Sequence, residues 1–173
     1  VLACEGTVTE RNYFQKIFDA LINEHNISKT SLVIAKHSHT NPKGVLEDLL
    51  KALALDPEYE HKWIVIDRDE MRPNGGGHPV EDFNEALSRA ASKKIKVAYS
   101  NPSFEIWYLL HFEYRNTAID RDDLIVQLEK YVKYSKNSQT IFDALIDNQD
   151  VALANTKRLK ATYEVNGRKI SPA

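Results

Sequence analysis

The chain has 173 residues, a formal net charge of -2, 42% hydrophobic and 28% charged residues, and a pI near 6.3. That suits one globular domain, or a domain with an appendage, able to bury a core without disulfides or a structural metal. It excludes the global basic signature of a nucleic-acid coat, so any contact with nucleic acid needs a local patch. The single cysteine, Cys4, excludes an internal disulfide and a cysteine-rich zinc site, and fits a reducing, cytoplasmic setting. No apolar run approaches the roughly 18 residues of a membrane span, and no signal peptide shows. Because Val1–Cys4 reads as the interior of a strand, residues upstream of it are expected.

In chain order, Val1 to Cys4 is the first strand. The turn from Glu5 to Glu10 opens a helix, with Thr7 and Glu10 at the spacing of a capping box. Tyr13, Phe14, Ile17, Phe18, Leu21 and Ile22 form the apolar stripe of that helix, which fades at His25-Asn26. Ser31 to Ala35 is the second strand. After a polar loop from Lys36 to Asn41, Pro42 starts a second helix with a stripe of Val45, Leu46, Leu49, Leu50 and Leu53, stopped at Asp56-Pro57. Trp63-Ile64-Val65-Ile66 is a continuous apolar run, the signature of a buried parallel strand, and it leads straight into Asp67, Asp69 and Glu70. The loop that follows carries Gly75-Gly76-Gly77, which predicts flexibility. Phe83, Ala86, Leu87 and Ala90 mark a third helix, and Ile95, Val97 and Tyr99 a fourth strand.

This alternation argues for a parallel sheet with helices on its faces and right-handed crossovers. Beyond Tyr99 the pattern turns helical. Asn101 is placed to cap, and Pro102 to begin, a broadly apolar helix over Ser103 to Phe112. Further stripes follow at Leu124, Ile125, Leu128 and Val132, at Ile141, Phe142, Leu145 and Ile146, and from Val151 to Tyr163, before a tight turn at Asn166-Gly167. The expected organisation is an α/β core over residues 1–112 and a helical extension over 113–173 packed on it.

The chemistry concentrates in the acids. Glu5 ends the first strand, and Asp67 and Asp69 end the third. In a parallel sheet these ends share one edge, where ligands of open α/β sheets gather. If the two strands are neighbours, three carboxylates converge; they would repel one another unless a hard cation such as magnesium relieved them. Such an ion grips phosphate and neutralises charge during phosphoryl transfer. The plainer reading of the same residues is a strand followed by a solvated acidic turn. Glu10 is read either as the capping-box acid or as part of this edge. Glu105 is either a first-turn acid favoured by its helix dipole or a further carboxylate over the edge. Arg68, between the acids, would contact phosphate or make a surface ion pair.

Other candidates carry less. His37 and His39 have metal-pair spacing but sit in a polar loop. His78 follows the glycines and would close over a substrate, or simply belong to a flexible loop. His111 reads as a satisfied, partly buried histidine. Lys93, Lys94 and Lys96, and later Lys157, Arg158 and Lys160, would form the local basic patch or merely solvated faces. Cys4 reads as buried and inert. The three glycines lack the lysine and spacing of a P-loop.

Three stretches resemble one known family. Glu5-Gly at one strand end, with Asp67-x-Asp69 at a later one, resembles the Toprim catalytic signature of topoisomerases, primases and OLD-family nucleases. More narrowly, Cys4-Glu5-Gly6-Thr7-Val8-Thr9-Glu10 with Tyr13-Phe14, then Asp67-Arg68-Asp69-Glu70, then Ser100 through Phe112 resemble the RloB-like family. The resemblance implies a three-layer, Toprim-like α/β/α core with a helical extension. It implies a bacterial setting beside restriction-modification or abortive-infection genes, and magnesium-dependent (or manganese-dependent) cleavage of DNA or RNA. Glu5, Asp67 and Asp69 match the Toprim positions; Glu10 and Glu105 match RloB-like positions whose chemistry is unassigned. The resemblance further implies that related chains continue past Ala173, and that the three-glycine insertion is peculiar to this chain. Two further readings stand beside a nuclease: a catalytically silent, Toprim-like subunit that docks a partner ATPase, and a phosphoryl-transfer enzyme acting on nucleotides. A homodimer is compatible with each.

Overall fold

The computed structural model describes residues 1–72, 75–138 and 140–165. The chain forms two compact units, Val1–Tyr99 and Ser100–Ala173, so the division falls directly after the last alternating strand–helix segment.

The first unit is α/β. Its sheet has three parallel strands, β1 (Leu2–Cys4), β2 (Trp63–Asp67) and β3 (Lys96–Ser100), in that spatial order. Leu2, Ala3 and Cys4 pair with Trp63, Ile64 and Val65. The strands alternate with α1 (Thr9–His25), α2 (Pro42–Leu55) and α3 (Val80–Ser92). The period-two pattern of β2 sends Ile64 and Ile66 into one core with Ala3 and Val97, covered by Val45, Leu46 and Leu49 of α2 and Phe83, Ala86, Leu87 and Ala90 of α3. Leu2, Cys4 and Val65 are buried as well, and Cys4 lies near Glu10 and Arg11 of α1.

Three local expectations are corrected. The second strand is reduced to a single parallel bridge between Leu2 and Ile34, preceded by a 3-10 turn at Lys29–Ser31. The backbone bonds Leu2 N–H to Val33 O at 2.9 Å and Ala35 N–H to Leu2 O at 2.7 Å remain. With β1 only three residues long, there is no ladder for a fourth strand to extend. The capping box also does not form: α1 follows Val8 with no side-chain cap, and Glu10 instead accepts the Gly6 amide at 3.1 Å. Finally, the helix expected over Ser103 to Phe112 is shorter. It begins at Glu105 and ends at Leu109, and the Asn101–Pro102 peptide is cis. Other boundaries follow local chemistry. Asn41 caps α2 by accepting from Gly44 N–H at 2.9 Å, with Pro42 in the first position. Asn26 ends α1 in the left-handed region.

The second unit is helical: α4 (Glu105–Leu109), α5 (Arg121–Leu128), α6 (Ile141–Leu145) and α7 (Gln149–Val165). Its core gathers Phe104, Tyr108, Leu109, Leu124, Leu128, Ile141, Phe142 and Leu145. Asp120 caps α5 through Asp123 N–H at 2.8 Å. Asn155 of α7 donates to Leu110 O at 2.8 Å. The turn expected at Asn166-Gly167 lies outside the described residues. Among those described, no helix is long and apolar enough to cross a membrane.

His111 is 1% exposed, with Nδ1 2.8 Å from Trp107 O. Burial lowers its proton affinity, partly offset by backbone bonds to Trp107 and Tyr108. The unfolded chain therefore binds the proton more readily. Stability is complete above the ordinary histidine range and is lost as pH falls below about 6.5 toward the depressed folded value. The melting temperature should fall between about pH 7.5 and pH 5, above the range where carboxylates titrate, and His111→Gln should flatten that slope in a calorimetric pH series.

Candidate metal and phosphate site at the sheet edge

β1 and β2 are parallel neighbours, so both end on the same rim. Glu5 follows β1 directly, and its amide still bonds Val65 O at 3.0 Å. Its side chain then reaches across: Glu5 Oε2 accepts Asp67 N–H at 3.0 Å. Thus the first two acids are joined by a bond spanning 62 positions of sequence. Asp67 is 7% exposed and Asp69 8%. Two carboxylates this buried carry a desolvation cost that only compensating partners or a cation relieve.

The segment after Asp69 folds back onto the same rim. His78 N–H donates to Asp69 O at 2.9 Å, and Glu70 and His78 form a parallel bridge. His78 is buried, with Nδ1 3.6 Å from Glu5 Oε1. Its Nε2 is buried without a hydrogen-bond partner among the described residues. Burial pushes the proton affinity of His78 down, against the pull of Asp69 and the Asp67 backbone. Arg72 Nη2 lies 3.3 Å from Asp69 Oδ2, but its side chain is 39% exposed. It is a peripheral counter-ion and makes a weak clasp. A small cavity beside these groups is lined by Arg68, Asp69, Glu70, His78, Val80 and Phe83.

Arg68 lines this cavity beside Asp69 and His78. Its guanidinium lies 5.9 Å from the Phe83 ring centroid, and Nη2 is 3.9 Å from Glu70 Oε1. Glu10 stays local, on the Gly6 amide. Glu105, in the second unit, is 2% exposed and accepts Ser103 Oγ–H at 2.6 Å and Tyr134 O–H at 2.5 Å. Its carboxylate is thus used inside that unit's core. His37 and His39 do not act as a pair: His37 Nδ1 is 3.4 Å from Cys4 O, whereas His39 Nδ1 is 2.7 Å from Asp48 Oδ1. Burial opposes the charge on Asp48, but the Ser38 amide and the His39 ring and amide hold its carboxyl below the usual range. Lys96 begins β3 beside Lys62, whose carbonyl accepts the Lys96 amide at 2.9 Å. This basic cluster therefore sits at the amino ends of the strands, on the rim opposite the acids. Arg158 stacks on Tyr114 at 3.9 Å, within the second unit. Cys4 is buried, and desolvation raises its thiol far above the reactive range.

His78 is the residue that sequence reasoning undervalued. The signal was present in Gly77, whose φ of +74° and position leave no room for a side chain: an added Cβ would lie 2.2 Å from Glu70 O and 2.8 Å from Asp69 O. Only glycine closes the turn that returns His78 to the rim.

The rim offers hard oxygen donors, which in kind suit magnesium or manganese. Among the described residues, no three His, Cys, Asp or Glu side chains are already gathered as a metal-ligating group. A cation here would draw oxygens away from the Asp67 amide, His78 and Arg72.

Compared with known proteins, residues 1–173 match the family model described as RloB-like protein. No curated protein and no solved structure matches the chain.

Gly77→Ala should destabilise the first unit by at least about 1–3 kcal/mol, because it combines a left-handed backbone with a steric overlap. Chemical denaturation measures the loss, and the His78 ring resonances should shift in the same variant.

Proposed function

This chain belongs to the RloB-like family, and on that premise we propose that it is a metal-dependent phosphodiesterase of Toprim type that cleaves DNA or RNA. The setting we propose is a bacterial restriction-associated or abortive-infection defence system. The observation that carries this reading is the bond from Asp67 N–H to Glu5 Oε2. It ties the Glu5 carboxylate to the backbone of Asp67 and so brings the ends of neighbouring parallel strands together on the rim where α/β sheets bind ligands. The Toprim-like reading of the core rests on the same parallel placement of Glu5, Asp67 and Asp69.

Asp67 and Asp69 would hold a magnesium or manganese ion, which when bound supplies positive charge to the phosphoryl oxygens. Glu5, whose Oε2 accepts the Asp67 amide, would take a proton from an attacking water. Burial of Asp67 and Asp69 limits bulk water at their carboxylates, where a bound cation's charge would be less screened. His78 closes the rim beside Glu5 and restricts where that carboxylate can turn. Any energy input would come from a partner ATPase, since the chain carries no nucleotide-binding motif.

One observation favours a second reading, a catalytically silent subunit docking that ATPase. Arg72 and His78 already stand beside Asp69 and Glu5, as protein groups would if no cation were used.

Incubation with labelled DNA and RNA, with and without magnesium or manganese, separates the two. The phosphodiesterase should cut only with the metal, and Asp67→Ala should lower the rate by at least about 100-fold, the scale for losing one electrostatic stabiliser. Magnesium should also raise the melting temperature of the wild type and not of Asp67→Asn, while the metal-free Asp67→Asn protein should be the more stable of the two. Cleavage that survives Asp67→Ala would overturn the assignment.

A further inference from the structure

His78 is 6% exposed, and backbone contacts hold it on the rim. Its N–H donates to Asp69 O at 2.9 Å, and the residue bridges Glu70 in parallel. The turn that brings it there is the one closed by Gly77. Each nitrogen of a buried imidazole either donates or accepts, so each calls for a partner.

Nδ1 has its partners. It lies 3.6 Å from Glu5 Oε1, and the ring also bonds the backbone of Asp67. Nε2 makes no hydrogen bond among the described residues, so the bond to Asp67 belongs to Nδ1. The Asp67 amide is already given to Glu5 Oε2 at 3.0 Å, which leaves the Asp67 carbonyl as the group that meets the ring. A carbonyl accepts and does not donate, so Nδ1 carries the ring hydrogen. Burial disfavours a second proton. The ring is therefore the neutral Nδ1–H tautomer, and Nε2 keeps a bare lone pair.

A lone pair has no proton to give to a substrate. Its partner is either a hydrogen-bond donor or a metal ion. The surroundings of the ring are those of a metal-binding histidine, in which the other nitrogen donates to a carbonyl or carboxylate, fixing the tautomer and raising the basicity of the ligating nitrogen. Charge points the same way. His78 and Asp69 line one small cavity, and Glu5 stands on the other side of the ring. A cation in reach of Nε2 offsets those carboxylates, whereas a neutral donor leaves them as they are. Arg68 supplies the competing occupant. Its Nε is also buried without a partner among the described residues, in the same cavity. One water accepting from Arg68 Nε–H and donating to Nε2 would satisfy both atoms.

We infer that His78 is a metal ligand of the sheet-edge site, binding through Nε2 alongside the Asp69 carboxylate, and that the site takes manganese or a later first-row divalent cation in preference to magnesium. The inference rests on the metal-dependent reading of the rim and deepens it by naming the class of cation. Magnesium keeps oxygen ligands and several waters. An imidazole nitrogen adds affinity for first-row transition ions and little for magnesium.

The test uses the full chain, freed of metal, and manganese chloride. The EPR signal of free manganese gives the affinity, and competition gives that of magnesium. His78→Gln should weaken manganese binding at least about tenfold, a scale that even the outer partners of a ligand reach, and magnesium binding by no more than about threefold. Electron spin-echo modulation of bound manganese should show a coupled nitrogen in the wild type. Isotopic labelling of histidine nitrogen alone should alter that coupling; it should vanish in His78→Gln and persist in His37→Gln. The labelled wild type and His37→Gln keep the test decisive if His78→Gln fails to fold by circular dichroism. In the metal-free protein, nitrogen-resolved NMR should find His78 protonated on Nδ1. Bound manganese without a histidine nitrogen would leave Nε2 to a water and overturn the inference. Failure of manganese to bind, the opposite tautomer, or a coupling lost in His37→Gln would overturn it too. Cleavage of labelled DNA and RNA, followed in parallel, separates this inference from the reading beneath it. Metal-dependent cleavage without the coupling removes only the ligand assignment, whereas the coupling without cleavage keeps the ligand and removes the phosphodiesterase.

Discussion

The rest of the first unit depends on the parallel pairing of two strands that are sixty residues apart. β1 is only three residues long, and its pairing with β2 continues past its end. The Glu5 amide holds Val65 O, and the Glu5 carboxylate returns to the Asp67 amide. That last bond closes the sheet edge and fixes the orientation of a candidate functional carboxylate. One interaction therefore serves both the register of the strands and the orientation of the Glu5 carboxylate. Backbone groups at a strand end need partners, and here an acid supplies one.

Negative charge on this rim has several compensations, each of a different strength. Glu5 has a backbone amide and a nearby buried imidazole. Asp69 has a half-exposed arginine, a contact that solvent screens. The compensation is uneven along the rim. Strong, fully buried ion pairs would hold the acids permanently, whereas amides and peripheral cations leave them open to a competing ligand. Asp48 is the contrast within the same unit. It is as buried as the rim acids, yet it is satisfied by two amides and an oriented ring.

The basic residues are arranged differently from what local clustering suggests. Lys93, Lys94 and Lys96 crowd together in sequence because α3 ends where β3 begins. In a parallel sheet that junction lies at the amino ends of the strands, and the acids lie at the carboxyl ends. Proximity along the chain therefore placed these lysines on the opposite rim. A nucleic acid at the acidic rim would meet Arg72, 3.3 Å from Asp69, and Arg68, which lines the cavity beside it.

Much of this was legible before any coordinates. The apolar run Trp63–Ile66 between charged neighbours reads as a buried strand because a strand covered on both faces has no polar positions to spare. The alternation of such runs with helical stripes specifies α/β with a parallel sheet. The acids at two strand ends were visible too, because the edge of a parallel sheet is a consequence of strand direction alone. Tertiary structure decided what local pattern cannot encode. It reduced Ser31–Ala35 to one bridge, since pairing depends on the length of the neighbour. It took Glu10 from a cap to the Gly6 amide, and Glu105 into a hydrogen-bonded core with Ser103 and Tyr134. It also separated His37 from His39, giving one to a backbone carbonyl and the other to Asp48. Each of these outcomes turns on a partner distant in sequence or on space available at one atom, and periodicity carries no information about either.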